Sequence, residues 1–339
     1  MQYRDIGTSG VQLSALTFGA WGIGDYEGGV TAKDAIAALH AAHGMGFTSI
    51  DTGRMYGLGY SEAVVGEAIR TLPRDKVQIS TKCGVVWEGD KGQLWYPDKI
   101  IDDRKFNIYR YSGKESIMKE CEDSLRRLGT DYIDLYSVHW PDATTPIEEP
   151  MEAFSRLKEQ GKIRAAGLCN RYSAEEIKKA DEVTDVAFLK VRYSMLNRVP
   201  EKELIPYCLQ NNKSIIAYHV LQRGILTGRD LPKFLWAKDD RPFEVALYDP
   251  GNIRRIRAFL EKLTPIAMDN GATVTQLVIR WLINRPGVAV GLLGASSPEQ
   301  VAYDAKAMDI LLSAADTDAI NHLLADLEKE LELEVKEAV

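Results

Sequence analysis

Asp51, Tyr56, Lys82 and His139 are the residues of this chain whose types could act together on one bond if folding gathered them. A free phenol titrates near about pH 10, so Tyr56 works as an acid or base near neutrality only where a cation stabilises its phenolate. Lys82 could be that cation. A buried Lys82 needs a counter-charge, which Asp51 could provide, and His139 could hydrogen-bond a substrate oxygen and orient it. Each residue alone has an ordinary structural reading: a turn Asp, a solvated Lys, a satisfied His. Joint placement favours chemistry, because Asp51, Lys82 and His139 end candidate strands, Tyr56 follows one of them in a Gly-flanked loop, and a barrel brings such ends together.

The elements that must position them alternate short β-rich runs with longer amphipathic stretches. Candidate strands lie at 16–19, 47–51, 77–82, 133–139, 165–168, 188–191, 214–218 and 288–293. Eight strand-helix units in series predict a closed α/β barrel with parallel strands, although length alone leaves one domain or two open. Thr31 precedes a helix over 33–43 that Gly44 and Gly46 end, and Ser61 opens the next, with Glu62 in its first turn. Further helices are expected over 114–127, 147–160, 174–181, 201–210, 274–284 and 298–308. Segments 84–111, 221–252 and the tail after Ile310 exceed a simple connection. The first two follow strands and belong at the C-terminal rim, where active sites are built. The acidic, Leu-rich tail has two readings, a capping helix or an interface between copies in a homo-oligomer.

Composition excludes several function classes. With 42 basic and 49 acidic residues the net charge is -7. No Lys/Arg run offers the footprint of a nucleic-acid binder. No apolar run approaches a membrane span, and the first residues lack a signal-peptide pattern, so a cytoplasmic location is the default expectation. Cys83, Cys121, Cys169 and Cys208 are widely spaced without a CxxC pair, which fits reduced thiols better than a disulfide frame or a metal site.

Six strings in order carry a family resemblance: FTSIDTGRMY at 47–56 with GYSEAVVGEAI at 59–69, ISTK at 79–82, SLRRLGTDYIDLYSVHWPD at 124–142, GKIRAAGLCN at 161–170, YHVLQRGILTG at 218–228 and GASSPEQV at 294–301. Together they resemble the aldo-keto reductase superfamily, within it bacterial members with a large loop after the third barrel strand. The resemblance implies a (β/α)8 TIM barrel with long loops at its C-terminal rim, one domain over 1–339 with a helical tail from about 311. It implies an extended nicotinamide dinucleotide held at that rim, and the absence of a GxGxxG after the first strand agrees that no Rossmann fold is involved.

Carried over by position, Asp51, Tyr56, Lys82 and His139 match the family's catalytic tetrad, with Tyr56 as general acid in reduction and general base in oxidation. Asn170 would hold the nicotinamide carboxamide, Cys169 standing where the family usually has Ser, and Tyr218 would stack on the ring. Gly19, Ala20 and Trp21 would border the cofactor, and backbone around Leu221, Gln222 and Gly224 would approach the pyrophosphate. Gly294, Ser296, Ser297, Gln300 and Asp304 would lie at the adenosine end.

Two departures stand out. Lys190 replaces a usual Gln that pairs with the carboxamide. It would either bond the amide and disfavour the cationic oxidised ring, or turn toward an Asp or Glu. The adenosine loop lacks Arg or Lys, and Asp304 replaces a frequent Asn, so NADP(H) is expected only slightly ahead of NAD(H). Trp21, Trp87 and Trp140 are expected at the substrate, with other loop aromatics, Trp236 among them, interleaved with charges such as Asp102. A small polar carbonyl compound or sugar suits that lining. The rival reading is a redox-sensing subunit that binds cofactor and partners another protein.

Overall fold

The computed structural model describes residues 1–24, 30–101, 103–230 and 242–331. Asp102, Trp236 and positions 332–339 of the expected tail lie outside the described residues. Eight parallel strands close a barrel: β1 (Leu16–Gly19), β2 (Ser49–Asp51), β3 (Gln78–Cys83), β4 (Ile133–Val138), β5 (Ile163–Cys169), β6 (Val186–Arg192), β7 (Ser214–Tyr218) and β8 (Val288–Leu293). Neighbours in the barrel are neighbours in this order, and β8 pairs with β1. This is a (β/α)8 barrel.

Strands covered on both faces read as near-continuous apolar runs, and β4, IDLYSV, is buried throughout. Leu135, Phe188, Ile216 and Val290 pack with Ile6, Val11 and Leu13 from the N-terminus. The Phe188 ring fills the space over Gly167, where a Cβ would sit 2.4 Å from it. The alternate strand residues pack outward against the helices. An antiparallel hairpin (Tyr3–Asp5 and Gln12–Ser14), not anticipated from the sequence, covers the N-terminal mouth. Its Gly7 N–H donates to Ser214 Oγ at 2.9 Å and its Arg4 to the Val288 carbonyl at 2.6 Å, both at strand starts. That leaves the opposite mouth for chemistry.

Thr31 caps the helix Ala32–Gly44 by accepting from the Asp34 N–H, and Gly46, at φ +87°, turns the chain toward β2. The following helix departs from expectation. It begins at Tyr60, one residue before Ser61, and the Ser61 hydroxyl instead donates to the Ala20 carbonyl at 2.9 Å. Glu62 lies in the first turn as expected, and there it is buried, accepting from Thr81 Oγ1 at 2.6 Å and Arg127 Nε at 2.7 Å.

The segment after β3 forms a small antiparallel sheet of Val85–Val86, Gln93–Ile101 and Arg104–Arg110. After β7 comes a tight turn over Gln222–Thr227, and later a long helix, Pro250–Asp269, capped by Asp249. In the tail, helix Ala314–Glu330 buries Ile320, Leu324 and Leu327, and Asn321 accepts from Trp281 Nε1 at 3.1 Å. The described part of the tail is therefore a helix packed on the barrel wall. No helix among the described residues is long and apolar enough to cross a membrane.

Candidate active site

Asp51 is the last residue of β2, and Gly19, at the end of β1, is its neighbour across the strand pair. Lys82, in β3, donates to Asp51 Oδ1 and to the Thr52 carbonyl, both at 2.6 Å. Lys190, in β6, bonds the other oxygen, Oδ2, and donates to Ser80 Oγ at 2.7 Å. All three ionised groups are buried. Of the two dispositions open to Lys190, the structure has the one in which it turns to a carboxylate.

Tyr56 stands above this cluster, with Lys82 Nζ 4.7 Å from its ring centroid. Its loop is compressed by glycines: a Cβ on Gly24 would lie 2.4 Å from the Tyr56 carbonyl carbon, and one on Gly53 3.3 Å from the ring. Leu58 and Gly59, both at positive φ, turn the chain into the next helix. His139 lies just past β4, its N–H donating to the Cys83 carbonyl at 2.8 Å, and its ring meets Tyr56 edge-on with centroids 5.9 Å apart. Asp51, Tyr56, Lys82 and His139 are thus brought together at the C-terminal mouth.

The electrostatics separate their states. Burial alone would raise Asp51, but Lys190 and Lys82 outweigh it and hold the carboxyl at about 2. Burial pushes the Tyr56 phenol up to about 12, against the opposing pull of Lys82, so the phenol keeps its proton at neutral pH. The cation was expected to bring Tyr56 toward neutrality; desolvation of the phenolate is the larger effect in the closed barrel. His139 is held well below its ordinary value by burial and by Lys82 and Lys190, and is neutral. The arrangement can give a proton to an oxygen from Tyr56 while neutral His139 offers a hydrogen bond.

Around this centre, the Asn170 backbone is left-handed, at φ +74°, and its N–H donates to the Lys190 carbonyl at 2.8 Å. Its side-chain amide donates to the His139 carbonyl at 2.6 Å and weakly to Cys169 Sγ at 3.3 Å, and its Oδ1 accepts from Tyr218. Ala20 is buried, whereas Trp21 is half exposed. Beyond β7, Gln222, Arg223 and Gly224 are all at positive φ, a tight turn beside Leu221. Ser297 caps the helix Pro298–Ala305, and Gln300 folds back to accept from the Ser296 N–H at 3.0 Å and donate to the Gly294 carbonyl at 3.2 Å. Asp304 is buried and raised to about 7 by desolvation, against Arg229, so the extra carboxylate expected there is only partly charged at neutral pH.

The aromatic residues divide. Trp140 sits beside His139, centroids 6.2 Å apart, and shares Arg110 with Trp95 of the small sheet. Trp87 instead stacks on Arg54, whose guanidinium lies 4.2 Å from the ring centroid. Arg54 was not singled out from the sequence. It is buried, paired with Glu120 at 3.0 Å and bonded to the Val85 carbonyl, and so ties the Tyr56 loop to the segment after β3. Its partner lies far along the chain, so no local pattern marks it.

The chain matches the aldo/keto reductase family over residues 15–325. It belongs to that family. The Escherichia coli K12 NADH-specific methylglyoxal reductase is 33% identical over 337 residues, covering 97% of this chain and 100% of that protein. The structure of a glycerol dehydrogenase from Gluconobacter oxydans superposes with a TM-score of 0.84 at 31% identity, covering 96% of this chain and 95% of that one. A Klebsiella pneumoniae aldo/keto reductase solved with NADP and acetate has a TM-score of 0.68 at 30% identity, with 96% and 94% covered. This aldo/keto reductase is accordingly an NAD(P)-dependent oxidoreductase of carbonyl and alcohol groups.

The residues at the mouth fit a nicotinamide dinucleotide. Asn170 offers an amide whose contact with Cys169 is weak and exchangeable, Tyr218 an aromatic face, and Ser296, Ser297 and a helix N-terminus donors for an anion.

Proposed function

We propose that this enzyme reduces the carbonyl group of a small polar compound, an aldehyde, ketone or keto-sugar, with Tyr56 as general acid. The observation that carries this reading is Lys82 bridging Asp51 and the Tyr56 ring inside a closed barrel mouth. The bound nicotinamide supplies or accepts the hydride. Asn170 and Tyr218 would hold that ring, and Gly19, Ala20 and Trp21 with the turn at Leu221, Gln222 and Gly224 would hold the rest of the dinucleotide.

His139, neutral, donates a hydrogen bond to the carbonyl oxygen and sets its approach to Tyr56. Tyr56 gives its proton to that oxygen as negative charge develops on it; the transfer is favourable because an alkoxide is far more basic than a phenolate even at about 12. Lys82 lies against the phenolate left behind, and Asp51 holds Lys82 in place. In oxidation the same groups run in reverse, with the phenolate as base. Trp140, with Arg110 and Trp95 beside it, forms the apolar wall and charged edge that a hydroxylated substrate would use.

Between cofactors, selection is shallow. Near Gly294 a 2'-phosphate would meet Ser hydroxyls and a helix N-terminus, worth about 0.3–1 kcal/mol, which keeps NADP(H) ahead of NAD(H) by less than about tenfold.

The test is turnover, followed by the reduced-nicotinamide absorbance, on a panel of aldehydes, ketones and keto-sugars. Tyr56→Phe should lower kcat by about 10²–10⁴-fold while cofactor still binds. Cofactor binding without turnover on any substrate, or full activity in Tyr56→Phe, refutes it.

A further inference from the structure

Asp51 is a single carboxylate bonded by two buried ammonium groups, Lys82 on one oxygen and Lys190 on the other. A lone Asp–Lys pair would be neutral; this cluster carries one excess positive charge. The other groups that face it add none at neutral pH. Ser80 is a hydroxyl, and Cys169 is a thiol pushed up to about 11 by burial. His139 is neutral and the Tyr56 phenol protonated. An unneutralised charge acts over a longer range than a dipole, and burial weakens its screening by salt. The cluster is directly beneath the mouth: Lys190 bonds Asn170 through its carbonyl, and Lys82 touches Tyr56.

We propose that Lys190 makes this site discriminate between the two redox forms of its cofactor, holding the neutral reduced ring over the cationic oxidised one. The inference rests on the reading of the Asn170–Tyr218 mouth as the nicotinamide site. Lys190 is here a positioning charge rather than a catalytic residue. In reduction its effect is to favour loading with reduced cofactor and release of the oxidised product.

The same geometry gives the bias a pH dependence. Desolvation and the Lys82 charge pull the Lys190 ammonium down to about 8, with Asp51 resisting. Below that pH the excess charge is present; above it the cluster relaxes to a neutral Asp51–Lys82 pair. Asp51 at about 2, Cys169 at about 11 and Tyr56 at about 12 do not change charge in that window.

The experiment measures dissociation constants of the oxidised and reduced dinucleotides by equilibrium fluorescence, without substrate. It uses the full chain, Lys190→Gln and Lys190→Met. The ratio of the two constants is read because any contribution of the adenosine phosphate cancels in it. Below pH 8, both variants should bind the oxidised form relatively more tightly by about tenfold, the scale of one charge about 10 Å away at an effective dielectric near 20. In the unmodified protein the ratio should move the same way as pH rises through about 8, a measurement that needs no variant to fold. A ratio that is flat with pH and unchanged in folded variants overturns the inference while leaving the cofactor site standing. Failure of the unmodified chain to bind either form overturns the site reading, and this inference with it.

Discussion

Replacing Asp51 by Asn removes the carboxylate that both buried ammoniums share and leaves two positive charges facing one neutral amide. Lys82 keeps its bond to the Thr52 carbonyl and Lys190 its bond to Ser80 Oγ, but neither ammonium keeps a counter-charge. Breaking a buried pair on one side costs about 3–5 kcal/mol, and here the residual groups also repel each other. Asp51→Asn should therefore lose about 3–5 kcal/mol at neutral pH, read from urea unfolding followed by tryptophan fluorescence.

The sign of the pH dependence follows from Lys190. Its folded value is depressed below the unfolded value of about 10.4, so its cost is fully present at low pH and fades as pH rises from the folded to the unfolded value. Without Asp51 the ammonium is depressed still further, so the Asp51→Asn deficit should shrink as pH rises toward about 8, where Lys190 is losing its proton in both folded proteins. Adding Lys190→Met should recover about 1–3 kcal/mol, because it removes the uncompensated charge. A loss under about 1 kcal/mol, or a double variant in which the two losses simply add, would refute the shared-carboxylate account.

Two further outcomes follow. Because Asp51 is held at about 2 against an unfolded value near 3.9, it contributes on the order of 2–3 kcal/mol that is complete above the unfolded value and lost as pH falls through the folded one; urea midpoints should fall on acidification less steeply in Asp51→Asn. Gly24→Ala would place a Cβ 2.4 Å from the Tyr56 carbonyl carbon, displacing the loop that aims the phenol; kcat should drop well beyond what the accompanying loss of about 1–3 kcal/mol of stability explains, and wild-type kcat would contradict the packing.

The barrel strands were legible because burial on both faces leaves β-rich runs between caps and glycines, as at Ser214–Tyr218 and Val288–Leu293, where the expected and observed ranges coincide. The sheet over Val85–Val86, Gln93–Ile101 and Arg104–Arg110 was not legible: its exposed edge strand Gln93–Ile101 carries Pro97 and two register shifts, so no clean alternation survives. Helix Pro250–Asp269 was hidden by its own prolines, Pro250 at the start and Pro265 inside. The hairpin at Tyr3–Asp5 and Gln12–Ser14 has strands too short to show a period.

By itself the sequence determined which chemistry was available, since Asp51, Lys82 and His139 could be placed at strand ends from local pattern alone and parallel strands carry such ends to one mouth. What it could not decide was the partner of Lys190. That side chain meets Asp51 across a separation of 139 residues, and which carboxylate it meets depends on the parity and register of β6 within the closed barrel. The tertiary structure also set the Tyr56 phenol at about 12, because desolvation is a property of everything packed around a group and no string of neighbours in the chain encodes it.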